Sequence, residues 1–187
     1  LCTMFAGILT MYGQGAKNIK INEVLTNNTA NLQDEFGNRR AWIELANTSF
    51  STYDVRGMYI TTDRRVLNKG LSVPQRIKMM SCIPNGDNRT SMSAREHLLF
   101  FFNSNPSHGT LHLSAQISKD KPTWIALYDG NAVDIIDSVT VPPLAANQSY
   151  ARIKDGADQW AVKTSDCVTP VSYTHLEPTR LRRISYA

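Results

Sequence analysis

AWIELAN, Ala41 to Asn47, is the stretch whose reading decides the fold. Successive side chains of a strand point to opposite faces, so Ile43 and Leu45 share one face and Trp42 and Glu44 the other. Working outward, the same period recurs along the chain. Asn18–Leu25 alternates Ile19 and Ile21 with lysines, and Val55–Thr61 is rich in strand formers, with Gly57 as a bulge or a point of close approach. His97–Phe102, HLLFFF, is a continuous apolar run that suits a strand covered on both faces. Leu111–Ile117 sets Leu111, Leu113, Ala115 and Ile117 inward and His112, Ser114 and Gln116 outward. Thr123–Tyr128 and Val133–Val141 flank Asp129–Gly130–Asn131, a hairpin turn in which Gly130 can take a positive φ. Ser149–Arg152 and Gln159–Val162 close the series. Turn chemistry fills the gaps: Thr26–Arg40, Thr62–Arg76 with Gly70 and Pro74, Pro84–Arg89, and Pro142–Pro143. Short strands so punctuated imply an all-β sandwich or barrel, with no helix beyond a turn or two except over Ser91–His97.

Both ends of the chain read differently from its middle. Residues 1–16 carry no charge, and the apolar run Met4–Tyr12 followed by Gly13–Gln14–Gly15–Ala16 resembles the hydrophobic region and cleavage site of a truncated secretory signal peptide. The alternative is a buried first strand; the run falls short of the ~20 residues that span a bilayer. Residues 17–170 make one domain's length, enough to bury a core without cross-links. The last segment, VSYTHLEPTRLRRISYA, residues 171–187, follows neither strand nor helix periodicity. Its opening can be encoded as the transposon end of a sequencing adapter, so it is set aside as an adapter-derived artefact without structure of its own. The other reading of Arg180, Arg182 and Arg183 is a patch for an anionic partner. This tail supplies half of the formal net charge of +4. The remainder is too weakly basic for a nucleic-acid footprint. Cys82 and Cys167 could pair in an oxidising compartment, but their spacing alone does not establish it.

At this point the ordered motifs resemble a known family. Ile21–Asn22–Glu23–Val24 resembles an opening strand, and Asp34–Glu35–Phe36–Gly37 followed by Trp42–Ile43–Glu44–Leu45–Ala46–Asn47 resembles an acidic-glycine loop and core strand of the lamin-tail domain family. Val55–Ile60, the turns Val73–Pro74 and Ile83–Gly86, Trp124–Asp129 with Val133 and Asp137, and Ser149–Arg152 with Trp160 are similar to its later elements, so the resemblance spans about Ile19 to Val162. Val73 stands where the family often has an aromatic residue, and Leu111–His112–Leu113 lacks its common phenylalanine. The resemblance implies an immunoglobulin-like β-sandwich of the bacterial secreted type, without shared catalytic residues. Bacterial chains of this type also resemble the N-terminal extension of γ-type subunits of sodium-pumping decarboxylases.

A search for chemistry assigns no catalytic, cofactor-binding or metal-binding residue. Nucleophile elbows, phosphate loops, CxxC and HExxH motifs are missing from the sequence. His108 and His112 lie about 13 Å apart on an extended chain, too far to share a metal that binds each at ~2.1 Å. Asp129, Asp134 and Asp137 read as solvated turn and strand ends, with a calcium site as the sharper alternative. Glu23 and Glu44 could be neighbours, as a catalytic carboxylate pair or as partners of an arginine such as Arg152. Trp42, Tyr59, Trp124, Tyr128 and Trp160 fit a core better than a recognition surface. Asn27, Asn47, Asn88 and Asn147 each open an Asn-x-Ser/Thr triplet, and Asp137–Ser138–Val139 resembles a bacterial O-glycosylation triplet. The expectation is therefore a non-catalytic, extracytoplasmic interaction or structural module, exported by its signal. It would form the N-terminal part of a larger envelope or membrane-anchored bacterial protein. Its partner would be an unknown envelope protein, not nucleic acid, with the membrane reached only through a missing C-terminal segment. The alternative is an accessory domain of a secreted hydrolase whose catalytic domain is missing.

Overall fold

The computed structural model describes residues 13–164, with Gly13, Gln14 and Pro106 described in their backbone alone. A short helix, Gly13–Ala16, leads into β1 (Ile19–Leu25). There follow β2 (Trp42–Asn47), β3 (Tyr53–Asp54), β4 (Tyr59–Thr61), β5 (Ser81–Cys82), β6 (Ser91–Met92) and β7 (His97–Phe102). The series ends with β8 (His112–Leu113), β9 (Thr123–Tyr128), β10 (Ile135–Val141), β11 (Ser149–Arg152) and β12 (Trp160–Lys163). One sheet runs β12-β11-β1-β2-β7-β8 and a second runs β10-β9-β4-β5, while β3 and β6 form a ribbon. The fold is all-β. Strand pairs are antiparallel except β7–β8.

Alternation in β2 and β7 explains why the first sheet is buried on both faces. Ile43, Leu45, Leu98 and Phe100 point into the central apolar cluster, where they meet Ile60, Ile125, Leu127, Val139 and Val141 from the second sheet. Trp42, Leu99 and Phe101 point the other way and form a separate cluster with Leu25, covered by Leu32. Each such side chain contributes about 1.5–3 kcal/mol by leaving water. Ala16 is also fully buried in the central cluster, so the packed body begins one residue before the Lys17 boundary read from sequence. The expected signal peptide otherwise lies in residues 1–12, and residues 171–187 and Cys167 also lie outside the described residues. Cys82 is a free, exposed thiol.

Each sheet has a cover. Over the first, the 26–40 loop is organised by Asp34 and tied down by Asn147, whose side-chain oxygen accepts from Thr29 and Ala30 N–H at 2.8 and 2.7 Å. Over the second, an excursion through residues 62–80 carries a 3-10 turn, Arg64–Leu67, and a helical turn, Val73–Ile77. Val66, Met79 and Met80 from this excursion pack on Trp124, Ala126 and Tyr128.

Several sequence expectations are corrected. Val55–Thr61 is not one strand: Gly57, at φ +76°, turns the chain between β3 and β4. The left-handed residue of the late hairpin is Ala132 at φ 55°, not Gly130. Gly130 instead lies against the first turn: a Cβ there would stand 3.4 Å from the Gly57 carbonyl oxygen, an ordinary contact distance. The hairpin turn is also longer than read, so β10 begins at Ile135 and not at Val133. Ser91–His97 forms no helix, because Asn47 Nδ2 donates to the Met92 and Ser93 carbonyls and holds that segment beside β2. Of Leu111–Ile117, His112–Leu113 alone joins a ladder. The inward set is right, but its neighbours belong to two different sheet edges, so the rest is irregular.

Candidate functional site

The outer face of the first sheet holds the densest polar chemistry. Glu23 and Glu44 are cross-strand partners in the β1–β2 register, and each is 1% exposed. Two like charges so placed repel, and burial makes both ionised forms costly, so compensation is required. Glu23 accepts a hydrogen bond from Ser149 Oγ, and its other oxygen lies 3.2 Å from Lys163 Nζ. Glu44 accepts from Asn22 Nδ2 at 3.0 Å, and the same amide reaches Asp155 Oδ1 at 3.3 Å. Asp155 Oδ2 in turn lies 3.2 Å from His97 Nε2. Glu23 and Glu44 do stand side by side, an arrangement the sequence allowed without fixing, but Arg152, the arginine offered there as their partner, goes elsewhere.

Arg152 serves a bulge. The β1–β2 register shifts between Ile21 and Glu23, and the β1–β11 ladder reaches no further than Glu23–Ala151. The main chain of Ile21 is thereby left without a strand partner on its β11 side. Asp137 Oδ2 accepts the Ile21 N–H at 2.8 Å, and Arg152 Nε donates to the Ile21 carbonyl at 2.8 Å. Arg152 Nη2 closes the clasp on Asp137 at 2.8 Å. Its other terminal nitrogen donates to the Ala157 carbonyl, and its plane lies 4.6 Å from the Trp160 ring centre. Asp137 is therefore no solvated strand end, which corrects that expectation. Asp129 and Asp134 do hold the turn: Asp129 accepts from Gly130 N–H and Asp134 from Asn131 Nδ2, both at 2.7 Å.

The two histidines correct another expectation. A 3-10 turn at Pro106–His108 and Gly109 at φ +124° fold the chain back, so the rings of His108 and His112 lie 5.6 Å apart. Extended-chain spacing does not apply there. Asn103 Nδ2 lies 3.0 Å from His108 Nδ1 and 2.6 Å from His112 Nδ1. Its oxygen accepts from Asn105 N–H at 2.9 Å, which orients the amide and makes both Nδ1 atoms acceptors. Glu35 Oε2 is 2.9 Å from His112 Nε2, and Phe36 rests against both imidazoles. Among the described residues, no group of three or more His, Cys, Asp or Glu is arranged to hold a metal ion.

The aromatics divide. Trp42, Trp124 and Tyr128 are buried, whereas Tyr59 and Trp160 are half-buried. Asn47 is 1% exposed with its amide committed to three carbonyls, so its triplet is a structural cap. Sequence reasoning missed an open groove along residues 114–118 flanked by Arg64 and Lys121. No local motif could reveal it, because its walls come from two separate connections, β4–β5 and β8–β9, and the start of β9.

Among the described residues no helix is long and apolar enough to cross a membrane. No protein-family model matches the chain, and no curated protein matches it at a significant level.

Proposed function

We propose that this chain is a non-catalytic interaction or structural module of the bacterial cell envelope. In this reading it has an immunoglobulin-like sandwich of lamin-tail type and forms the N-terminal part of a larger protein. The order of motifs from Ile21 to Trp160 supports the family. Two facing sheets around one apolar cluster support the architecture. Closure of the polar chemistry carries the non-catalytic reading. The Glu23–Glu44 pair, the strongest candidate for acid–base work, is 1% exposed at each residue. The Glu23 carboxylate is taken up by residues of the fold itself, Ser149 and Lys163. A general acid or base must come within hydrogen-bond reach of a substrate atom, and a carboxylate sealed beneath a covered sheet face has no such approach.

Expression of the tagged chain from its complete gene in a bacterial host tests this, followed by fractionation and cross-linking in intact cells. The expected outcome is an extracytoplasmic protein that forms a discrete cross-linked adduct. Retention in the cytoplasm, or a hydrolytic activity of the purified chain that Glu44→Gln abolishes, would overturn it.

A further inference from the structure

We propose that the groove along residues 114–118 is the docking site of this module and that its occupant is an acidic, extended polypeptide segment. The proposal rests on the interaction-module reading and names the surface and the partner chemistry. The floor of the groove is main chain that no strand pairs. Side chains hold it in place: Ala115 N–H donates to Ser81 Oγ at 2.9 Å, Thr62 Oγ1 donates to the Gln116 carbonyl at 2.8 Å, and Ser118 N–H donates to Thr123 Oγ1 at 3.3 Å. Those three groups are taken, so an added strand would pair with the main-chain groups that lie between them, the mode by which an extended peptide gains affinity without a deep pocket. Hollows open on both sides of it, about 420 Å³ on the side of Arg64 and Lys121 and about 270 Å³ on the side of Phe102, and both are lined by Gln116 and Ile117.

Charge selects the partner. The larger hollow is lined by Arg64 and Lys121 and by no carboxylate. Among the described residues neither cation is engaged in an ion pair, whereas the neighbouring Asp63 is taken by Arg65. Both cations stand on braced supports. Arg64 opens a 3-10 turn capped by the Asp63 side chain, and its guanidinium lies 5.6 Å from the centre of the Trp124 ring. Lys121 ends a turn in which Ser118 Oγ accepts from the Asp120 and Lys121 N–H groups, both at 3.2 Å. Cations carried on a fixed main chain lose less freedom when they meet a carboxylate than cations on a mobile loop. Two of them suit acidic side chains on one peptide, whereas a nucleic acid calls for a more extended basic surface.

Fluorescence anisotropy with the full chain tests this, using labelled (Glu-Val)4, its neutral counterpart (Gln-Val)4, and a heparin oligosaccharide. The acidic peptide should bind at least tenfold more tightly than the neutral one. Arg64→Glu combined with Lys121→Glu should weaken it by at least tenfold, with only a small fall in melting temperature, because both side chains are exposed and the packing lost is the contact of Arg64 with the Trp124 ring. Equal binding of the two peptides, undiminished binding by the double variant, or heparin binding without peptide binding would each overturn the proposal. The two readings fail separately. A cross-linked adduct that forms equally in wild type and double variant sinks the groove and leaves the module. No adduct in wild type sinks the module, whatever the peptides do.

Discussion

Asp34 shows how one side chain can set a loop. Its Oδ1 accepts from Phe36 and Asn38 N–H at 3.0 and 2.7 Å, and its Oδ2 accepts from Arg40 Nε at 2.9 Å. Burial by itself would raise the carboxyl; the Asn38, Arg40 and Phe36 donors outweigh it and hold it below the ordinary carboxylate value. Asp63 and Asp87 are lowered too, chiefly by the hydrogen bonds from Arg65 and Arg89. A carboxyl lowered in the folded state contributes stability that is fully present above its unfolded value, near 3.8, and is lost as pH falls through the folded one. Melting temperature should therefore drop steeply below about pH 4. Asp34→Asn should flatten part of that fall and cost about 2 kcal/mol at pH 7 in a denaturant titration. The Thr26–Arg40 loop was legible in sequence from its Asn, Asp and Gly content, because turn residues act locally; within it Gly37 takes φ +79°. The meeting of His108 and His112 was not, because it depends on one 3-10 turn that Asn103 stabilises from a neighbouring strand end.

Among elements, the 62–80 excursion depends on a side chain that its own sequence conceals. Ser72 N–H donates to Gln75 Oε1 at 2.9 Å, half of a capping box, and Pro74 sits in the first turn, so the helical start was readable as Ser-x-x-Gln. Gly70 and Pro74 dominate a turn-based reading of this stretch, which predicts a loop. What holds the excursion together is Arg76, which donates to the Val66, Asn68 and Leu71 carbonyls at 2.8, 3.1 and 3.4 Å. Arg76→Ala should open residues 62–80 to hydrogen exchange by a factor of about ten, for roughly 1–2 kcal/mol of local stability. Exchange in β2 and β7 should stay unchanged, because their partners lie in the other cover and the central cluster.

Across the whole molecule, the Asp137–Arg152 clasp joins the two sheets at the β1 bulge. Its side chains are 11% and 4% exposed. Asp137→Ala would leave a buried guanidinium and the Ile21 N–H without their carboxylate, a change that typically costs about 3–5 kcal/mol. Removing both charges, as in Asp137→Ala with Arg152→Met, should return part of that loss, and equilibrium unfolding of the three proteins measures the coupling. The sequence by itself determined the longer strands and their inward faces, because a period of two and the turn residues between runs are written locally: AWIELAN and HLLFFF need no partner to be read. Only the tertiary structure decided that Glu23 faces Glu44, that Asp137 and not a glutamate takes Arg152, and that Arg64 and Lys121 flank one groove. Alternation fixes which face a residue occupies but carries no information about strand order or register, and those are set when the two sheets choose neighbours and bury their shared core.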